Sequence, residues 1–420
     1  MKKTIPAIIA AALLVAGCSK GVRAPREYSP LAPKDTLVLC AEDSAAMASN
    51  PMGVFLREWG MALQKEVEKF DDMGDAKARE TLQSAEYAEK LRKYSQRGKW
   101  SVFTIGRPGF AIDELDDDAT VPMPAMACVT ALRERASTED AVAELWTLWE
   151  PLRQCVTDAD EDLNLIENLR EAGELSTVTI AGCDVTKLTF KSTEATEELL
   201  KHVIGIEPCI GVYDGSLEII ASSPQVFENV VALYSGMAPA APADSVVARD
   251  ASLRDCGQVI FGIYGVRDML AALAGDKLED VPDEASRYIR SLCDIRITQK
   301  LDGEAMSMES ALEVSFDDES LPPLLATMCN GGLGMAKAAV AMAVMQTPEL
   351  AQAATLVNDL NVVAEGRVCR LSVKITKAFI EKLDVAELMR IASEKRKQAA
   401  ECDDDLFSDE DGDDGEDDDE

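Results

Sequence analysis

A single histidine, His202, serves all 420 residues, and aromatic side chains make up only 5% of them. That scarcity removes the usual general base of Ser-His-Asp and Cys-His hydrolysis from every position but one. His202 stands in ATEELLKHVIG, a helix-like run where Leu199, Leu200, Val203 and Ile204 lie close by, and reads as a partly buried structural residue. Neither HExxH nor CxxC occurs, so the ordinary His/Cys spacings of zinc sites are missing too. Cations are scarce as well: 42 Lys and Arg stand against 76 Asp and Glu, a net charge of −34. Nucleic-acid binding draws on clustered cations that displace counterions, and this balance speaks against it. The chain is therefore expected to be no enzyme, with no catalytic, cofactor-binding or metal-ligating residues to name.

Long apolar runs are also wanting. Ile5 to Gly17 spans 13 residues, whereas a helix that crosses a bilayer needs about 20. The run follows Lys2 and Lys3 and ends in the small residues Ala16 and Gly17, the three-part layout of an export signal. Leu14-Val15-Ala16-Gly17 followed by Cys18 resembles the lipobox of bacterial lipoproteins. That resemblance implies cleavage between Gly17 and Cys18 and a diacylglycerol and palmitate-type acylated cysteine at Cys18. Ser19 follows, where Asp favours retention in the inner membrane, so the resemblance implies the outer membrane, on its periplasmic or its surface face. Membrane lipid is then the first expected partner, with envelope proteins next.

Residues 18–34 read as the lipidated cysteine and a Pro-rich tether, since Pro25, Pro30 and Pro33 forbid a helix. Its Lys20, Arg23, Arg26 and Lys34 suit either a plain spacer or contact with anionic headgroups. At the other end, residues 401–420 hold 14 acidic groups and no basic one, and read as a disordered acidic tail. An EF-hand pattern aligned on Gly412 puts Phe407 at the first ligand position, and one aligned on Gly415 fails at Gly412. Of the eleven cysteines, ten remain once Cys18 is acylated. Cys40, Cys128, Cys209, Cys293 and Cys369 sit in apolar strand-like runs and read as buried thiols, with disulfides the alternative in an oxidising compartment. Cys402, in the tail, is the one expected to react.

Between tether and tail, strands and helices alternate. Thr36 to Ala41, Trp100 to Ile105 and Ala125 to Leu132 read as strands; Pro51 to Phe70, Ala76 to Tyr94 and Thr138 to Gln154 read as helices. Trp146 and Trp149 share a helix face and are expected in the core. Four hairpins follow, turning at Gly182, Asp214-Gly215, Asp302-Gly303 and Glu365-Gly366, with helices after most of them. The resulting fold class is α+β, antiparallel sheets of hairpins covered by helices.

SGMAPAAPADS marks a boundary, giving an N-terminal domain over 35–235, a linker over 236–245 and a C-terminal domain over 246–400. Ala241-Pro242-Ala243-Asp244-Ser245-Val246-Val247 echoes Ala32-Pro33-Lys34-Asp35-Thr36-Leu37-Val38, which suggests two structurally related halves. An export signal, a Pro-x-Asp-Thr leading strand and repeated hairpin-helix units together resemble large uncharacterised families of bacterial secreted or surface proteins, which imply no particular activity.

GGLGMAK, residues 331–337, lacks the preceding strand and fixed positions of a phosphate loop and reads as a joint between two helices. The AAVAMAVM that follows is too short to cross a membrane. The chain is expected to be a lipid-anchored envelope protein with a binding or scaffolding role. One alternative is a carrier of hydrophobic molecules, with a cavity between sheet and the Met/Ala-rich stretch 333–346; another is a hydrolase built on two carboxylates. Cys18→Ala should abolish labelling by a fatty-acid analogue and release the protein from membranes; persisting label contradicts acylation at Cys18.

Overall fold

In the computed structural model the described residues are 27–67, 89–90, 93–94, 96–107, 121–122, 124–157, 173–190, 203–204, 207–253, 257–274, 282–348 and 351–383. Gly17, Cys18, His202, Cys402, the acidic tail and all of the tether before residue 27 lie outside them.

The strands are β1 (Thr36–Glu42), β2 (Gly98–Gly106), β3 (Val121–Pro122), β4 (Met126–Leu132), β5 (Gly173–Ile180), β6 (Cys183–Phe190), β7 (Val203–Ile204), β8 (Cys209–Tyr213), β9 (Leu217–Ala221), β10 (Val259–Tyr264), β11 (Leu292–Asp302), β12 (Ser307–Phe316), β13 (Asn361–Glu365) and β14 (Val368–Thr376). Twelve of them form one sheet in the order β13-β14-β12-β11-β10-β1-β2-β4-β9-β8-β6-β5. Every neighbouring pair is antiparallel. β3 and β7 pair in parallel apart from it. The helices are α1 (Ser44–Ser49), α2 (Pro51–Val67), α3 (Thr138–Thr157), α4 (Pro224–Ser235), α5 (Val246–Ala251), α6 (Val266–Ala274), α7 (Asp283–Ser291), α8 (Leu321–Gln346), α9 (Ala351–Asp359) and α10 (Lys377–Ile380).

The class is α+β, with all four expected hairpins present as β5–β6, β8–β9, β11–β12 and β13–β14. Asp214 and Gly215 both stand at positive φ (50° and 63°), the backbone that an Asp-Gly turn supplies at little steric cost. The β11–β12 turn is longer, because the Asp302 carboxylate accepts the amides of Glu304 and Ala305 (3.0 and 2.8 Å) and holds residues 303–306 in the loop. Where the sequence suggests several comparable sheets, one large sheet takes in twelve of the described strands. The reason is the pairing of β1 with β10, Val38 opposite Ile263 through Glu42 opposite Val259, which joins strands from before and after residues 236–245.

The two faces of this sheet differ. On the first, Leu39 and Ala41 of β1, Val102 of β2, Val129 of β4, Leu217 and Ile219 of β9 and Ile260 of β10 form a buried core under Phe227 and Val231 of α4. Helix α4 begins at Ser223, whose hydroxyl accepts the Val226 amide, and ends at left-handed Gly236. Helix α5 extends the cover to Asp250. That carboxylate is fully buried, accepts the Tyr264 hydroxyl at 2.8 Å and receives two N–H groups of Arg296 at 2.8 and 2.5 Å. Beyond Arg296 this face turns polar.

Local signals failed at four points. GGLGMAK is no joint but the middle of α8, which runs unbroken for 26 residues. Asn330 exchanges two hydrogen bonds with Val362 and the Lys337 ammonium donates to the Leu360 carbonyl, so tertiary contacts on both sides of the glycines hold the helix to β13. Val203 and Ile204, expected in a helix, are strand β7, while residues 191–202 lie outside the described set. Trp146, expected in the core, is exposed on α3, and the side chain of Trp149 lies outside the described set. Of the two echoing segments, Leu37-Val38 is strand but Val246-Val247 is helix, because Ser245 caps the Ala248 amide whereas β1 finds a strand on either side.

Arg296→Met would take the guanidinium away from the buried Asp250 carboxylate, and should lower stability by about 3–5 kcal/mol. Chemical denaturation reads this directly; an unchanged midpoint would contradict the role given to the pair.

Candidate functional site

Antiparallel register lines up side chains across a sheet, so the second face can be read row by row. One row runs Ile210, Ile220, Cys128, Phe103, Cys40, Phe261, Ile297, Leu312, Leu371, Val362, each residue directly opposite the next on β8, β9, β4, β2, β1, β10, β11, β12, β14 and β13. Beside it runs a second: Met126, Ile105, Val38, Ile263, Ile295, Val314, Cys369, Ala364. Every member of both is apolar or a thiol.

Among the described residues, helices cover this face at its margins. Ile210 and Ile220 pack beneath α3 with Ala141 and Leu145. At the other end Leu371, Val362 and Cys369 pack beneath α7 and α8 with Tyr288, Leu321 and Leu333. Further along β11, β12 and β14, Leu301, Met308 and Ile375 pack against Met52, Phe55 and Trp59 of α2. Between these covers the floor is open: Phe261 is 38% exposed, Ile297 43% and Leu312 37%, while Phe103 and Cys40 are half-buried. From β4 to β12 the open floor spans roughly 24 Å at the usual strand spacing. A polar row bounds it, where Glu218, Thr130, Ser101 and Glu42 stand opposite one another. Glu218 is buried there and accepts the Tyr94 hydroxyl, with Arg97 as its ion-pair partner.

Burial holds the thiols of this floor in the neutral form. It pushes Cys40 up, with Glu42 adding to the effect, and pushes Cys128 up against a weaker opposing hydrogen bond from Thr130. Cys209, under the other face, is raised to about 11 by burial first and the Glu207 charge second. None of the seven cysteines whose side chains are described forms a disulfide, and Cys329 on α8 is the exposed one among them. Neutral thiols suit an apolar lining better than a reactive centre.

On the opposite face a cleft of about 320 Å³ is lined by Arg249, Asp250, Arg296, Thr298, Lys300, Glu309, Glu313 and Arg370. Its carboxylates are engaged. Asp250 is held as above, Glu313 by Arg296 at 2.9 Å and Arg370 at 3.6 Å, and Glu309 by Arg370 at 2.9 Å. The lining contains no aromatic side chain. A two-carboxylate hydrolase calls for an acid and a base facing an aromatic-walled cleft, and this arrangement gives that reading no support. Among the described residues, no three His, Cys, Asp or Glu side chains converge to hold a metal ion.

The apolar rows could not be singled out in advance. DIRITQ and SALEVSF alternate as any half-buried strand does, and alternation tells which residues share a face, not whether a helix covers it. The Met/Ala-rich stretch reads as one wall of a cavity, whereas α8 stands largely uncovered beside the open floor. No protein-family model matches the chain, and no curated protein matches it. A solved structure described as "Structure of crystal form I of TP0453" aligns with 88% of this chain and 98% of that one at 8% identity and a TM-score of 0.34, a likeness too slight to carry an argument.

Proposed function

We propose that this chain is a lipid-anchored envelope protein of the outer membrane that binds apolar molecules, acyl chains foremost, on the open floor formed by β4, β2, β1, β10, β11 and β12. It is a binding protein, not an enzyme. The observation that carries the reading is the run of Phe261, Ile297 and Leu312, adjacent on three strands and each more than a third exposed. Fully burying one such side chain is worth about 1.5–3 kcal/mol, so leaving about two fifths of each of the three open forfeits roughly 2–3.5 kcal/mol unless a ligand covers them. The floor has the attributes of a small-molecule site: it is apolar, walled by helices on three sides and edged by a few polar groups. Acylation of Cys18 would keep the floor close to a source of such ligands.

We further propose that the two halves are related. Strand order supports this: β1-β2-β4 and β10-β11-β12 run outward from the central β1–β10 pair, and each is followed by a long helix and a hairpin. The echoing segments also lie side by side, Pro33 bridging Ala240 and the Ala241 amide donating to Ala32.

Ile297→Glu places a charge on the floor at a position already exposed, so folding should survive. Titration with a fluorescent fatty acid in the absence of vesicles should show saturable binding to the wild type and at least tenfold weaker binding to the variant. No saturable binding by the wild type would contradict the reading.

A further inference from the structure

Helix α8 leaves one face bare. Of its 26 residues Lys337 is the only charged one, and only Leu321, Pro322 and Ala326 are buried. In its most apolar stretch of 18 residues none is buried. AAVAMAVM is too short to cross a membrane by itself, but it is part of a helix that continues through the glycines; at 1.5 Å per residue the whole is about 39 Å long.

Its two sides are distinct. Ala326, Asn330, Leu333 and Lys337 recur at helical spacing on the side toward β13 and β14, and the polar ones among them are spent there on Val362 and Leu360. Thr327 donates to the Pro323 carbonyl within the helix. Leu324, Met328, Met335, Met342 and Met345 recur three, four or seven positions apart on the outer side, with Met335 74% and Met345 77% exposed. Between them lie Gly331, Gly332 and Gly334, where an added Cβ would meet nothing within 4 Å.

We infer that this methionine face rests in the hydrocarbon edge of a phospholipid bilayer, and that acyl chains pass from there to the open floor. The inference rests on the reading of the floor as an acyl-binding site. Three observations choose lipid as the occupant. The outer side carries no charge along its whole length, where a protein interface is normally closed by a polar rim. Flexible thioethers adapt to a fluid apolar phase that has no fixed shape. The helix is also long and apolar enough to cross a bilayer, and the first row of the floor ends under its inner side at Leu371 and Val362. Cys18 precedes Glu27, the first described residue, by nine positions. At about 3.5 Å per residue, that much chain holds an acylated cysteine within roughly 32 Å of the body.

The test uses the full, acylated protein in vesicles of phosphatidylcholine and phosphatidylglycerol that carry a phospholipid with a photoreactive diazirine in its acyl chain. Mass spectrometry of the crosslinked peptides should place adducts on residues 324–345, and Met335→Asp with Met342→Asp should reduce them at least tenfold. The same double variant should bind the soluble fluorescent fatty acid as the wild type does. Adducts absent from 324–345 in the wild type would overturn the inference, as would a dimer whose interface shields those residues. Failure of the floor is read separately: if the wild type binds no soluble fatty acid yet 324–345 crosslinks, the acyl-binding reading falls and membrane contact by α8 stands.

Discussion

A strand that is apolar on both faces must be covered twice, and β1 imposes that requirement on the centre of the sheet. Leu37, Leu39 and Ala41 point one way, Val38 and Cys40 the other. Its neighbours β2 and β10 repeat the pattern in register, so the requirement spreads across the sheet. Helices α4 and α5 meet it fully on one face. On the other, α3, α8 and α2 reach only the ends, and the middle of two ten- and eight-residue rows stays open to whatever apolar matter comes near.

The cover changes hands along the sheet, and charge follows. Where α5 ends, Asp250 is sealed by Tyr264 and Arg296, and from Arg296 outward the first face of β11, β12 and β14 carries Lys300 and the ion-paired Glu309, Glu313 and Arg370. Solvent suits that face. The same strands therefore present a wet, ion-paired side and a dry side that, among the described residues, α2, α7 and α8 cover only in part.

Much of the fold was legible because local chemistry specifies it. Asp-Gly at 214–215 can hardly be anything but a turn, and Ser223-Pro224 opens α4 by supplying a cap and then a residue that needs no amide partner. What was not legible depends on contacts between distant segments. Glycines 331, 332 and 334 each cost about 1 kcal/mol in a helix relative to alanine, and local reading breaks the chain there; Asn330 and Lys337 overrule it from β13. The single sheet rests on β1 finding β10, more than two hundred residues away. The candidate site was the least legible part, since Phe261, Ile297 and Leu312 differ from core residues only in what fails to lie above them. Cys18, in contrast, is read wholly from its neighbours in sequence and lies outside the described residues.

The proposed binding role requires the apolar floor to be occupied in the working protein. Native mass spectrometry of the acylated protein, extracted from membranes in mild detergent, measures occupancy without choosing a ligand beforehand. A non-covalent adduct of lipid mass that is present in the wild type and lost in Ile297→Glu is the predicted result. Bare protein in both samples would contradict it.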